Sequence, residues 1–200
     1  MAKKKTEDKA PLEEGQKAIE ITKAAINDGL CNYSYNVING TGQGDTVSVK
    51  GKGIVDDDLT DAFIKMNAHL ACIDGIFQHS GVELTKIKEA TNNPLTADYF
   101  VSGFQSTGSE DEEFVVLIGH KKIDCTSGMM EIKTPKIPVD KHSSYKFWKD
   151  LKATTDLLKE EVLLYSEGKC TMQEQAEKAD PNQLKIDGGD DDLDMEKGRK

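Results

Sequence analysis

The sequence predicts an α+β fold: an antiparallel sheet from two hairpin regions, packed with two long helices, between disordered termini. Three observations predict it. Two regions alternate apolar and polar residues with period two, the mark of half-buried strands. Two other segments repeat apolar residues every three or four positions, as a core-facing helix does. And hairpins, rather than single strands, are separated by the helices, which argues against a doubly wound parallel sheet. The 200 residues divide into a disordered leader (1–11), one α+β domain (12–178) and an acidic disordered tail (179–200), since two full domains would be cramped at this length.

Residues 1–11 are charged, lack apolar periodicity and end at Pro11. The spacing of Leu12, Ile19, Thr22 and Ile26 then predicts a helix over 12–27, with Gly29 as its stop. A hairpin follows. Tyr33, Tyr35 and Val37 alternate with polar residues, as do Val47 and Val49, and NGTGQG at 39–44 is turn chemistry. Period two puts Ser48, Lys50 and Lys52 on the face opposite the valines. Leu59, Ala62, Phe63, Met66, Leu70, Ile73 and Phe77 form a helical stripe with Asp58 as N-cap, Asp61 near the positive dipole end and Gly81 closing it. Val82, Leu84 and Ile87 fit a short strand, and TNNPLT at 91–96 fits a loop. DYFVSGFQST and EEFVVLIGHKKID read as strands around the acidic GSEDE. After the turn CTSG, MMEIKTPKI reads as a third strand, stopped by Pro135 and Pro138. The last helix starts near Ser143 or Ser144 and carries Trp148, Leu151, Thr155, Leu158, Val162 and Tyr165 to Gly168.

The 36 acids outnumber the 26 Lys and Arg, for a net charge of −10, but the charge is unevenly spread. Residues 18–118 hold fifteen acids against six Lys, whereas 119–153 hold eight Lys against four acids. A local basic stretch can bind an anionic polymer even on an acidic protein. No run approaches the roughly 20 apolar residues of a membrane span. The N-terminus has no apolar stretch of the kind a secretory signal needs, and four Cys make no disulfide framework. The expectation is a soluble, cytoplasmic, reduced protein.

Several residue groups are candidates for chemistry. Asp56, Asp57, Asp58 and Asp61 suit either a helix N-terminus or a hard cation, and capping is the simpler reading. His69, Cys72 and His79 include zinc-type ligands without the second pair that would complete a site. Gly40, Gly42 and Gly44 lie between two strands, so they read as a hairpin turn and not as a dinucleotide loop. Asp124 followed by Glu131-Ile132-Lys133 resembles the core of the PD-(D/E)xK nucleases, in which carboxylates hold a metal and Lys polarises water or phosphate. A two-residue turn at CTSG would instead place Lys122 opposite Glu131 as an ordinary cross-strand ion pair. Lys50, Lys52, Lys121, Lys122, Lys133 and Lys136 with Tyr145 are the candidate nucleic-acid-binding set, phosphate contacts beside an aromatic platform. Trp148, by its spacing, belongs to the core. No catalytic residue, metal or cofactor is assigned.

The tail GGDDDLDMEKGRK resembles the acidic C-termini of bacterial and phage single-stranded DNA-binding proteins. The resemblance implies that Asp190, Asp191, Asp192, Leu193 and Asp194 recruit replication or recombination proteins. VSGF at 101–104, LIGHKKI at 117–123, TP at 134–135 and YSEGK at 165–169 resemble uncharacterised phage and prophage proteins, which implies a phage setting. The leading expectation is a non-catalytic single-stranded nucleic-acid-binding protein. The alternatives are a phage accessory or inhibitor module that binds protein, and a metal-dependent nuclease. Exposed sheet edges could also pair two copies.

Overall fold

The computed structural model describes residues 18–38, 44–108, 112–123 and 128–171. The predicted leader, the tail with Asp190–Asp194, and Asp124 lie outside the described residues. The α+β expectation holds. Strands β1 (Ala18–Asn27), β2 (Leu30–Ile38), β3 (Gly44–Val49), β4 (Tyr99–Thr107), β5 (Phe114–Lys122) and β6 (Met129–Lys133) form one antiparallel sheet in the order β3-β2-β1-β4-β5-β6. The two-residue β7 (Ile137–Pro138) pairs with the start of β5. Helices α1 (Asp57–Asp74) and α4 (Trp148–Ser166) pack on each other, α1 over β4 and α4 over β1. The short helices α2 (Ile76–His79) and α3 (Ile87–Thr91) pack on α1.

The main correction concerns 18–27, expected as helix and found as the strand β1. The strand carries a register shift between Ile21 and Lys23, where Thr22 is the extra residue. A bulge resets the strand alternation. Ile21 and Ala24, three apart, therefore both face the core, and Ile26 packs against it. The stripe expected of a helix does not form: Ile19 is exposed, Thr22 is the bulge residue, and Ile26 alone of the three packs on the core. Asp28 and Gly29, with φ of 51° and 76°, form the two-residue loop between β1 and β2. Positive φ at both positions is what a type I′ turn requires, and Asp-Gly is the dipeptide that supplies it.

The hairpin of β2 and β3 has the predicted faces, Tyr33 opposite Val49 and Tyr35 opposite Val47. It is shorter than expected. β3 ends at Val49, so Lys50 and Lys52 lie on the link to α1. That link crosses tightly over the sheet. The Tyr165 hydroxyl donates to the Gly53 carbonyl at 2.5 Å, and a Cβ on Gly51 would overlap the Cys31 carbonyl and the Tyr165 hydroxyl. The glycines of GKG thus serve close backbone approach.

Helix boundaries also shift. The N-cap of α1 is Asp56, not Asp58; its Oδ1 accepts from the Leu59 amide at 2.9 Å. Gly75 in the left-handed conformation ends α1, so Phe77 belongs to α2. Residues 82–86 form no strand, α3 takes up Ile87 to Thr91, and a 3₁₀ turn (Pro94–Thr96) lies within the predicted loop. α4 starts at Trp148, which is partly exposed, while Phe147 is buried. Leu151, Thr155, Leu158, Val162 and Tyr165 form the buried stripe as expected.

Gly119 shows how closely the helix layer sits on the sheet. A Cβ there would meet the Phe100 carbonyl and a Leu70 methyl of α1. Gly119→Ala should destabilise the fold by about 1–3 kcal/mol through overpacking, read as a lower urea midpoint at unchanged slope.

Glu113 is the one buried carboxylate among the described residues. Its oxygens accept from Lys159 at 2.6 Å, Lys152 at 2.7 Å and the Ser106 hydroxyl at 2.6 Å. Burial pushes its acidity down. The hydrogen bonds from Lys152, Lys159 and Ser106 outweigh burial and hold the carboxyl at about 2. The cluster fastens α4 to the β4–β5 connection.

Candidate nucleic-acid interface

Because opposed residues in an antiparallel pair share a face, the register assigns each side chain at the β4-β5-β6 end. Tyr99, Lys121 and Met130 form one row, and Phe100, His120 and Glu131 the next. The first row faces the helices. The Tyr99 hydroxyl donates to Asp74 Oδ2 of α1 at 2.5 Å, and burial with the Asp74 contact pushes its pKa up to about 12. The next residue, Val101, is also buried, and its amide at the β4 bulge donates to Asn67 Oδ1 of α1 at 2.7 Å. Phe100, between them, therefore points to the face without helices, where the residue is 44% exposed.

On that open face lie Phe100, His120, Lys122, Lys133 and Glu131. Lys122 pairs with Met129 and Lys133 with Ile118. Lys122 and Lys133 are both exposed. Further along the same face a cavity of about 390 Å³ opens over β1, β2 and β4. Glu20, Thr22, Lys23, Ser34, Gln105 and Thr107 are among its lining residues. It is a hydroxyl- and amide-rich surface with one ammonium, Lys23, and one carboxylate, Glu20, whose neutral polar groups suit sugar oxygens.

The sequence-predicted basic set is divided by this geometry. Lys122 and Lys133 lie on the open face, and Lys136 is exposed on the link after β6. Lys121 is on the helix face, 3.2 Å from Asp74 Oδ2 and over the Tyr99 ring. Two consecutive strand residues must point to opposite faces, so Lys121 and Lys122 could never share one. Lys50 and Lys52 follow the far edge strand. Four strand spacings separate β3 from β5, about 19 Å, so these lysines do not join the Lys122–Lys133 group. Tyr145 is no free platform: it packs against the core, and its hydroxyl lies 2.9 Å from Nδ1 of the buried His69. Phe100 and His120 are the residues that sequence reasoning missed. The available signal was Tyr99-Phe100-Val101, three apolar residues in a row on a strand, one of which must leave the core face.

The competing sites resolve differently. The carboxylates of Asp56, Asp58 and Glu161 converge within 4.8 Å of one another. Lys169, of the YSEGK segment, places Nζ among them, 2.7 Å from Asp58, 2.7 Å from Glu161 and 3.5 Å from Asp56. An ammonium thus occupies the position a cation would take, and these hydrogen bonds raise its own pKa. His69 turns to Tyr145 while the His79 ring bonds the Gly75 carbonyl at 2.7 Å, so no zinc-type set forms among the described residues. Cys72 lines a cavity of about 690 Å³ on the helix side with Phe77, Leu84, Tyr145 and Phe147. Burial pushes its thiol up to about 11, which keeps it protonated and poorly nucleophilic at neutral pH. Lys122 is opposite Met129, not Glu131, which faces His120 instead. The ordinary Lys122–Glu131 pair is therefore absent, and among the described residues Glu131 belongs to no group of metal-ligating chains. No described helix is long and apolar enough to cross a membrane.

No protein-family model matches the chain, and neither does any curated protein or any solved structure.

Proposed function

We propose that this protein binds single-stranded nucleic acid on the open face of its sheet, at the β4-β5-β6 end. Phe100 carries the reading: an aromatic residue 44% exposed near the start of β4, opposite His120 and on the same face as Lys122 and Lys133. Sheet platforms that bind single strands use this combination, a base stacked on an aromatic ring with cations on the phosphates. Lys23 and the hydroxyl-rich cavity extend the track toward β1 and β2. In this reading the acidic residues Asp190, Asp191, Asp192 and Asp194, with Leu193, engage partner proteins of replication or recombination. A phage-encoded accessory protein is the setting it suits.

Fluorescence anisotropy with labelled single-stranded DNA and RNA at low salt tests the proposal. The expected result is micromolar binding that weakens steeply with salt, as counterion release requires. Phe100→Ala should weaken it by about tenfold or more, since one base–aromatic stack is worth roughly 1–3 kcal/mol. The double change Lys122→Glu and Lys133→Glu should weaken it further and flatten the salt dependence. No binding of either polymer at micromolar protein would sink the proposal. Magnesium-dependent cleavage of the oligonucleotide would transfer the site to the nuclease reading.

A second reading is a protein-binding module. The exposed Ile123, Met129 and Met130 beside the site favour it. A pull-down in which the partner survives nuclease treatment, together with a negative anisotropy result, would select it.

A further inference from the structure

We propose that β6 is a self-association edge, through which two copies of this chain join their sheets. Among the described residues no strand pairs with the outer side of β6. Its hydrogen-bonding phase is fixed at both ends: the Ile123 amide donates to the Gly128 carbonyl and the Thr134 amide to the Leu117 carbonyl. The even-numbered residues of β6 therefore address β5, and Met129, Glu131 and Lys133 turn their backbone N–H and C=O groups outward. These are the groups a second strand would meet.

The side chains select the partner and the register. Among the described residues, Ile123, Met129 and Met130 are three of the seven exposed large apolar residues, and they lie at the β5–β6 end. The other sheet edge, β3, has none. An exposed apolar edge is a template for pairing. A second β6, antiparallel and centred on Ile132, sets Glu131 of each copy opposite Lys133 of the other. Both are outward-bonding residues, so each such pair exchanges two backbone hydrogen bonds as well as opposite charges. The same register places Met130 opposite Thr134 of the second copy, and the ladder ends there, because Pro135 has no N–H to offer Met129. Centring on Glu131 would instead oppose two carboxylates. Charge complementarity thus chooses one self-pairing. The two-fold axis stands normal to the sheet, so both open faces look the same way.

Sedimentation analysis of the full chain over a range of concentrations tests this. The monomer mass is 22.0 kDa, and the expected result is reversible association to twice that mass. Glu131→Lys opposes lysines across both symmetry-related contacts and should raise the dissociation constant by about tenfold or more. Lys133→Glu should do the same by opposing carboxylates. The double variant with both changes restores each opposite-charge pair and should return the constant to near that of the unaltered protein. Far-UV circular dichroism verifies that the variants, all at exposed positions, remain folded. A protein that stays monomeric at high concentration overturns the proposal. So does a dimer indifferent to the single changes, or a double variant no tighter than the singles. None of these readings depends on nucleic-acid binding.

Discussion

Replacing Glu113 by Gln will lower the unfolding free energy by about 3 kcal/mol, a loss in the range measured when one partner of a buried ion pair is removed. The carboxylate is almost fully enclosed and receives three hydrogen bonds. Gln preserves the shape and can still accept from Ser106. It cannot offset the charges of Lys159 and Lys152, whose side chains are 17% and 35% exposed. Lys159, the more enclosed of the two, carries most of the cost. Urea unfolding of the two proteins measures the difference. A loss below about 1 kcal/mol would place the cluster with ordinary surface pairs. Pairing Glu113→Leu with Lys159→Met should recover part of the loss, since a matched apolar pair leaves no enclosed charge.

Acidification will unfold the protein in two adjoining windows. Burial lowers the His69 pKa from 6.5 to about 4. The unfolded chain therefore binds a proton that the folded chain refuses, so stability is full above about pH 6.5 and is lost as pH falls toward 4. Glu113, held at about 2 against an ordinary 4.5, has the same sign. Its contribution is present above about pH 4.5 and disappears as pH falls toward 2. At 1.36 kcal/mol per pKa unit each group accounts for about 3 kcal/mol, and together they are comparable with the whole stability of a small domain. Urea midpoints measured from pH 8 to pH 3 should decline in both windows. His69→Gln keeps a hydrogen-bonding partner for Tyr145 and should flatten the decline above pH 4 alone. An unaltered slope there would remove His69 as its source.

The fold class was legible in the sequence because the two long buried stripes and the β2 and β3 alternations are local periodicities set by single elements. Leu59 to Leu70 and Leu151 to Tyr165 occupy the core as their spacing required. β1 is a strand although Ile19, Thr22 and Ile26 fall at helical spacings; Ile19 is exposed and Thr22 is a bulge, and Asp28-Gly29 is the local mark of the hairpin. A bulge becomes visible only when the partner strand fixes the register. The candidate site was partly legible. Lys122 and Lys133 share the open face, but Lys121 is taken by Asp74, and Tyr145 by His69.

By itself the sequence determined an α+β chain, its helical stripes, most of its strands and its uneven charge, since each depends on residues close together along the chain. The tertiary structure alone decided which lysines are engaged, why Phe100 is exposed, where Glu113 finds its cations and which edge of the sheet is left open. Those outcomes depend on partners distant in sequence, such as Asp74 for Lys121, Lys159 for Glu113 and Lys169 for Asp58. Only the packing of α1 and α4 on one face of the sheet brings such residues together.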